Sequence, residues 1–365
     1  LSEVEKNNTT LIALRQSVEA EKIGNKTGIY LQNPVLELGY LWGGPAVIGN
    51  KTNIIFKQSF DFPTTYRYKN QISNLKNEQT EQQYQAQLKA LMLETRIICN
   101  DLVHVNALLF ELSKRLTHAD GIANSYKSKY DYGETNIIEY NKAQLNLLNI
   151  SVELESKEVE KSALLAELTR LNGGVFIDFS ESSFLIPEIP ADFEQWYLIA
   201  EENSPLLSWL KQEVELSQKQ EKLSRAMSLP KIQTGYMSEK VIGQQYQGIT
   251  FGLSLPLWEN KNTVKYARTN TLAMESIKTD NKLQLYNQLI TLHNKAISLQ
   301  KNANDYRVNL LSFDNSELLI KALDNGEISL IEYILELTIY YESFNKLIDL
   351  ERDLSKTLIE LNQYM

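Results

Sequence analysis

The chain has 365 residues, and its 46 acidic and 37 basic side chains give it a net charge of −9. This balance argues against a nucleic-acid-binding protein, because no excess of basic side chains is available to neutralise phosphates. A hydrophobic content of 43% is typical of a folded protein and too high for a disordered one. The single cysteine excludes an intrachain disulfide framework, and three scattered histidines leave little material for a zinc site.

The first part of the chain predicts a helix followed by two strands, at about 35–42 and 53–62, because apolar residues alternate there with a period of two. The alternating apolar residues are Leu36, Leu38, Tyr40, Trp42, Ile54, Phe56, Phe60 and Phe62. Strands with one large apolar face and one small or polar face suit the wall of a membrane barrel. They suit a soluble sheet over a core equally well, so the strands alone leave both alternatives open.

The next segment, residues 64–171, contains no proline and only two glycines, Gly121 and Gly133. It is rich in Leu, Lys, Glu, Gln and Asn, which predicts very long helices. The one natural turning point lies at 131–134, so the segment is predicted to form an antiparallel helical hairpin. A helix from residue 66 to residue 130 would be about 100 Å long at 1.5 Å per residue.

Residues 172–204 lack this helical pattern. Gly173 and Gly174 open the segment, the apolar residues at 175–179 predict a short strand, and the remainder is predicted to be an irregular linker. Ser204 and Pro205 then predict the N-cap and the first position of the next helix.

The second half of the chain, residues 205–365, repeats the pattern of the first. Alternation predicts strands at about 231–237 and 248–255, and the later strand has four apolar residues on one face: Ile249, Phe251, Leu253 and Leu255. The stretch 257–365 predicts a second long hairpin that turns at 324–327, with a coiled-coil spacing of leucines at 347, 350, 354, 358 and 361.

Three short patterns recur in both halves, in the same order and at nearly the same spacing. They are PxxxxGY at Pro34 and Pro230, an apolar residue followed by proline at Phe62 and Leu255, and GExxxIEY at Gly133 and Gly326. The chain is therefore predicted to consist of two structural repeats, residues 1–171 and 205–365, joined by the segment 172–204.

The GExxxIEY motif has the composition of a tight turn between helices. Gly133 and Gly326 supply the backbone conformation that a chain reversal requires. Glu134 and Glu327 are predicted to lie in the first turn of the returning helix, where a carboxylate complements the helix dipole. A capped helical hairpin explains the motif, and its presence at both tips also favours a docking role.

This arrangement resembles the TolC-like outer-membrane efflux family, whose members consist of two such repeats. The resemblance covers nearly the whole chain and is strongest at residues 248–258, which are similar to the family's strand-to-helix junction. Residues 228–236 look like its helix-to-strand entry, and the two GExxxIEY turns look like its periplasmic tips. Residues 58–64 are most similar to the branch that serves heavy-metal pumps of the resistance–nodulation–division (RND) type.

The resemblance implies a mainly α fold with a small β part, assembled as a homotrimer. Four strands from each chain would close one transmembrane β-barrel in the cell outer membrane, and the long hairpins would form an α-helical barrel in the periplasm. Loops 43–52 and 238–247 would face the outside. Outer-membrane lipid would contact the apolar side chains of the strands: Phe56, Phe60, Phe62, Ile249, Phe251, Leu253 and Leu255.

The resemblance further implies a passive exit channel of a tripartite efflux system. An inner-membrane RND-type pump and a periplasmic adaptor, a membrane fusion protein, would hand over the substrate, with metal cations as one candidate. The resemblance implies that the adaptor docks on the residues of the two tips: Asp131, Gly133, Glu134, Asp324, Gly326 and Glu327.

The position of an acidic pore constriction in the family falls on Glu332, and Glu139 is the repeat-related position. A second acidic position of the family falls on Leu335. The tyrosine and arginine that are linked at the gates of some members fall on Leu323 and Ile328. The resemblance therefore implies a pore constriction at Glu139 and Glu332 with a different lock.

The sequence contains no nucleophile elbow, Walker loop, zincin motif or Rossmann glycine fingerprint, so we predict no enzyme, cofactor or metal site. His118 is expected to be an exposed helical histidine, and Cys99 a core or interface residue. The alternative to a channel is a soluble coiled-coil scaffold or adaptor without a membrane barrel, in which the same strand faces would cover a soluble core.

Overall fold

The computed structural model describes residues 1–312 and 315–365. In chain order the elements are helices α1 (Ser2–Asn7) and α2 (Thr9–Gly24), strands β1 (Val35–Leu41) and β2 (Lys51–Phe60), helices α3 (Pro63–Asp131), α4 (Ile137–Leu171), α5 (Phe193–Glu202) and α6 (Pro205–Met227), strands β3 (Lys231–Val241) and β4 (Gln244–Ser254), and helices α7 (Thr263–Ser312), α8 (Ser316–Asp324) and α9 (Leu330–Leu361). Residues 313 and 314, which the sequence places in the second long hairpin, lie outside the described residues.

The predicted long helices are present, and the longest of them is α3, with 69 residues. Its sequence has neither proline after its first position nor more than one glycine, so nothing interrupts its backbone hydrogen bonds. None of the helices in the two described ranges contains a segment that is long and apolar enough to cross a membrane.

The four strands form one antiparallel sheet in the order β1-β2-β3-β4. Leu36 pairs with Phe56, Phe56 with Tyr236, and Tyr236 with Ile249, so the apolar rows of all four strands lie on the same face of the sheet. We call this the apolar sheet face; its large members are Leu36, Leu38, Tyr40, Ile54, Phe56, Phe60, Ile232, Tyr236, Ile249, Phe251 and Leu253.

The hairpin of β3 and β4 is longer than the sequence predicts. The loop expected at 238–247 is reduced to a turn at Ile242 and Gly243, because Ser238 pairs with Gln247 and the pairing continues to Val241 and Gln244. Backbone hydrogen bonds hold this extension, and they do not depend on whether the side chains are apolar. Likewise β2 begins at Lys51, before the end of the predicted loop at 43–52.

The linker 172–204 is more ordered than predicted, because it contains helix α5. The Asp192 side chain caps this helix by accepting a hydrogen bond from the amide of Gln195 at 3.1 Å. Its buried side chains recur at helical spacing and are Phe193, Trp196, Tyr197 and Ala200. The predicted cap of α6 is confirmed, since Ser204 Oγ accepts from the Leu207 amide at 3.4 Å.

The short strand predicted at 175–179 is wrong. This segment has no regular secondary structure, and Ile177 and Phe179 pack instead against a helical core. The Phe179 carbonyl accepts a hydrogen bond from the Asn106 side chain at 3.4 Å. A strand requires a neighbouring strand to satisfy its backbone groups, and helices occupy that place.

The chain divides into two compact units: one comprises Leu1–Ile12, Gln87–Asn203 and Leu285–Met365, and the other Ala13–Ala86 and Ser204–Gln284. Both units contain residues from both sequence repeats, since α3 and α7 contribute to each. The sheet and a small core around Ile72, Leu75 and Leu216 belong to the second unit.

The first unit contains the larger helical core. One cluster joins α1, α3 and α4 through Val4, Ile98, Leu102, Leu168 and Leu171, and Cys99 lies half-buried against it. Four of the five leucines of the seam predicted in α9 are buried, Leu347, Leu354, Leu358 and Leu361, and Leu350 is half-buried.

Candidate functional site

The first helical tip is closed by backbone hydrogen bonds around Gly133. Helix α3 ends at Asp131, and Gly133 adopts a φ of 78°. The Gly133 amide donates to the carbonyl of Tyr130 at 3.0 Å, and the Glu134 amide donates to the carbonyl of Lys129 at 2.8 Å. This pair of bonds is a Schellman motif, in which glycine is favoured because its φ is positive.

The second tip repeats this geometry. Gly326 has a φ of 72°, its amide donates to the carbonyl of Leu323 at 3.1 Å, and the Glu327 amide donates to the carbonyl of Ala322 at 2.8 Å. The predicted turns at 131–134 and 324–327 are therefore present. All six predicted docking residues are exposed: Asp131, Gly133, Glu134, Asp324, Gly326 and Glu327.

The expected position of Glu134 and Glu327 is wrong. The returning helices begin only at Ile137 and Leu330, so both carboxylates lie in the turn, before the helix. The carboxylates of the first helical turn are Glu139 and Glu332. The reason is that each returning helix needs an N-cap residue. The variable (x) positions of the GExxxIEY motif supply that residue, so the helix begins after them.

Those N-cap residues are Asn136 and Ser329. Asn136 Oδ1 accepts from the amide of Ile138 at 2.9 Å and from that of Glu139 at 3.0 Å. At the second tip Ser329 Oγ accepts from the Glu332 amide at 3.3 Å, while Glu332 Oε2 accepts from the Ser329 amide at 2.7 Å. This is a capping box, and the sequence signal for it, serine followed three residues later by glutamate, is present in the chain.

The two predicted constriction residues thus occupy the same place in their helices but have different partners. Glu139 Oε1 forms an ion pair with Lys142 Nζ at 2.8 Å, whereas the exposed Glu332 is held by the capping box. Hydrogen bonds from the Ser329 amide and hydroxyl lower the pKa of Glu332. Each carboxylate lies at the positive end of a helix dipole, and a constriction role stays a prediction.

The capping box predicts a pH-dependent helix start. Because the folded-state pKa of Glu332 lies below the ordinary value of 4.5, its stabilising contribution is complete above that value and is lost as the pH falls through the lower, folded-state pKa. We expect protection of the Ser329 amide, measured by hydrogen exchange, to decline over this acid range. In Glu332→Gln, which keeps an uncharged acceptor, protection should not vary with pH; the same decline in both proteins would contradict this assignment.

The tyrosines of the two GExxxIEY motifs have different surroundings. Tyr333 is buried, and its hydroxyl is hydrogen-bonded to His118 Nε2 at 3.0 Å. Tyr140 is half-buried and stacks on Tyr130 with ring centroids 5.6 Å apart. His118 is therefore not the exposed histidine that the sequence predicts. Burial raises the pKa of Tyr333 and lowers that of His118.

The apolar sheet face is largely uncovered. Ile249 is 89% exposed and Phe251 67% exposed, and Phe56, Leu253 and Leu255 are exposed as well. Phe60 is half-buried at the end of β2 and Phe62 lies just beyond it; Leu255 likewise lies just beyond the end of β4. A contiguous exposed apolar surface of this kind marks a contact with protein or with membrane.

The opposite face of the sheet is mainly small or polar, with the paired Ile55 and Met237 as an apolar exception. Lys57 Nζ lies 3.2 Å from Glu37 Oε1, and Lys51 Nζ lies 2.9 Å from Glu239 Oε2. Gly39 allows close packing on this face, since a Cβ built there would lie 1.9 Å from Asn53 Oδ1. The predicted alternation of an apolar and a polar face is therefore confirmed.

The sheet is also open at both edges. Within residues 1–312 and 315–365, β1 pairs only with β2 and β4 only with β3. The outer backbone groups of β1 and β4 thus have no partner strand within the described chain, and such edges invite pairing with another strand. In the same residues no group of three or more His, Cys, Asp or Glu side chains is placed to hold a metal ion.

No protein-family model matches the chain, and no curated protein sequence matches it. Solved structures do. The channel protein CusC has a TM-score of 0.82 at 13% identity, over 100% of this chain and 90% of that one. The outer-membrane channel CmeC of Campylobacter jejuni has a TM-score of 0.79 at 14% identity, over 99% of this chain and 84% of that one. The open state of the MtrE channel of Neisseria gonorrhoeae has a TM-score of 0.74 at 10% identity, over 100% of this chain and 87% of that one.

The fold is therefore that of the TolC-like outer-membrane channels, as the sequence resemblance predicts. The chain has the long helices and the four-stranded antiparallel sheet that the resemblance implies. CusC, CmeC and MtrE match it with similar TM-scores, so the fold does not separate one branch of the family from another, and the heavy-metal branch stays a prediction.

Proposed function

We propose that the protein is the outer-membrane exit channel of a tripartite efflux system and conducts its substrate passively. The observation that carries this proposal is the sheet, with one exposed apolar face, one polar face and two open edges. Four strands are too few to close a barrel. Three copies, with β1 of each pairing with β4 of the next, would remove every edge.

In such a barrel the apolar sheet face would contact lipid and the polar face would line a water-filled lumen. The strands have seven to eleven residues, close to the 9–11 or so that a tilted transmembrane strand needs. A soluble scaffold would have to cover Ile249 and Phe251 with another apolar surface. The fold of the outer-membrane channels supports the membrane alternative.

The helical hairpins would form an α-helical barrel in the periplasm. The exposed residues of the two tips, around Gly133 and Gly326, would receive the adaptor and the RND-type pump. The rigid Schellman turns suit that role because they fix the backbone of both tips in the same conformation. Metal cations are the substrate suggested by the resemblance of residues 58–64 to the heavy-metal branch.

The assembly is tested by imaging single particles after extraction of the protein from membranes with detergent. We expect a hollow particle with three-fold symmetry, and stepwise conductance after reconstitution into planar bilayers. Monomers or dimers that stay soluble without detergent would contradict the channel and support the soluble scaffold.

The constriction is tested with Glu332→Gln. We expect weaker block by divalent cations in single-channel recordings, because the variant removes one carboxylate per chain from the proposed ring. Glutamine retains the capping-box acceptor, so the start of α9 is preserved. Glu336→Gln, an equal change of charge at the next exposed turn of α9, is the control; equal effects of both variants, or unchanged block, would remove Glu332 from the ring.

A further inference from the structure

The connection between β1 and β2, residues 42–50, exposes apolar side chains. We call it the Trp42 loop. It contains no charged residue, in a chain of which 23% is charged. Trp42 is 82% exposed, Val47 87% and Ile48 55%. A loop that projects into water is normally polar, so this composition requires an explanation.

The exposure is built into an ordered loop. The Gly43 amide donates to Asn50 Oδ1 at 3.2 Å, and the Gly49 amide donates to the Ala46 carbonyl at 3.1 Å, which closes a short 3₁₀ turn. A Cβ at Gly43 would lie 2.1 Å from the carbonyl oxygen of Gly49. The two ends of the loop are thus in close contact, and its apolar side chains are held on the outside.

The neighbouring turn adds to the same apolar patch. Ile242, in the turn between β3 and β4, is 62% exposed. It touches the Trp42 loop, since a Cβ at Gly49 would lie 2.1 Å from the Ile242 Cγ1 atom. Pairing of Lys51 with Val241 brings the two turns to the same end of the sheet. The patch therefore comprises Trp42, Val47, Ile48 and Ile242.

This patch is continuous with the apolar sheet face. Tyr40 belongs to that face, and its ring meets the Trp42 ring edge to face, with centroids 5.3 Å apart. On the same face, Tyr40 pairs with Thr52 and Thr52 with the exposed Lys240. Tyrosine, tryptophan and lysine together are typical of the membrane interface, where rings lie among the headgroups and ammonium groups reach phosphates.

We propose that the Trp42 loop and Ile242 lie in the interfacial layer of the lipid bilayer and anchor this end of the sheet, and do not project into water. The inference rests on the proposed membrane channel and extends it, because the loop at 43–52 would otherwise simply face the outside. Lipid is the partner because the patch is uncharged, continues the lipid-facing surface and ends beside a lysine that can meet a phosphate.

The test uses nitroxide labels on single cysteines, in a Cys99→Ser background, in phosphatidylcholine vesicles. Val47→Cys reports on the loop. Phe251→Cys and Thr250→Cys are matched references, since these neighbours lie on the apolar and the polar face of β4. Collisions with oxygen, which concentrates in lipid, are compared with collisions with a water-soluble nickel chelate. We expect the oxygen-to-nickel collision ratio at Val47 to be well above that at Thr250 and to approach that at Phe251.

Each other outcome is decisive. If Val47 matches Thr250 while Phe251 reports lipid, the loop lies in water and the inference fails, but the channel stands. If Val47 is shielded from both reagents, protein covers the loop and the inference fails as well. If Phe251 itself reports water, the proposed membrane barrel fails.

Brominated phosphatidylcholine provides a second measurement that needs no cysteine variant. The emission of Trp42 is obtained by subtracting the emission of Trp42→Phe from that of the unmodified protein. We expect the brominated lipid to quench this Trp42 emission. If the brominated lipid does not quench the emission of Trp42, the inference is overturned.

Discussion

Phe251→Arg is expected to destabilise the membrane-inserted protein by about 2–4 kcal/mol, the cost of an arginine at a lipid-facing barrel position near the bilayer midplane. Phe251 lies in β4 on the apolar sheet face and is 67% exposed in the single chain. The guanidinium group would have to leave water for hydrocarbon, where no partner is available. The measurement is the denaturant midpoint of the protein folded in phospholipid vesicles.

Thr250→Arg is the matched control for this prediction. Thr250 is adjacent to Phe251 but lies on the opposite, polar face, where it pairs with Gly235. In a barrel its side chain would meet lumen water, so the same arginine should cost far less. Equal losses in the two variants would contradict a sheet with one face in lipid and the other in water.

Tyr333→Ala is expected to cost about 3–5 kcal/mol, the range for truncation of a large buried aromatic side chain. Tyr333 is fully buried in a cluster with Ala123, Ala143, Leu330 and Leu337. The substitution leaves a cavity and also removes the hydroxyl partner of His118. The loss is measured from urea unfolding in detergent, and local opening of the tip from hydrogen exchange of α9.

Tyr140→Ala is the control, because Tyr140 occupies the same position of the repeated motif. Its main ring contact is the stack on Tyr130, and aromatic pairs contribute about 0.5–1.5 kcal/mol beyond the area that they bury. We expect a clearly smaller loss than for Tyr333→Ala. Similar losses of stability in Tyr140→Ala and Tyr333→Ala would show that the two tips pack alike. That result would contradict the difference in burial between the two tyrosines.

The divergence of the two tips has a local cause that can be read in the chain. Ile328 precedes the N-cap Ser329 and packs in the same cluster as Tyr333, as in a hydrophobic staple. The corresponding residue of the first tip is Thr135, which has no large apolar side chain to offer. The same motif therefore ends in a buried tyrosine at one tip and a half-buried one at the other.

Features that depend on neighbours in the sequence could be predicted from it. The absence of proline from the interiors of α3 and α7 predicted long helices, the alternation around Phe56 and Phe251 predicted strands with one apolar face, and glycine predicted both reversals. Helix α5 was also within reach, because Asp192 and the spacing of Phe193, Trp196 and Ala200 form a capped amphipathic pattern. The capping box at Ser329 and Glu332 was equally visible.

By itself, then, the sequence determined the helices, the strand faces and the turns, since backbone propensity and side-chain periodicity act over a few residues. Only the tertiary structure decided which segments the apolar residues of each pattern contact. Residues 175–179 are a short apolar run like that of a strand, but Ile177 and Phe179 lie against helices and the segment forms no strand. His118 is shielded because Tyr333, 215 residues away, packs on it. Burial depends on contacts between distant segments, and periodicity carries no information about which segments those are.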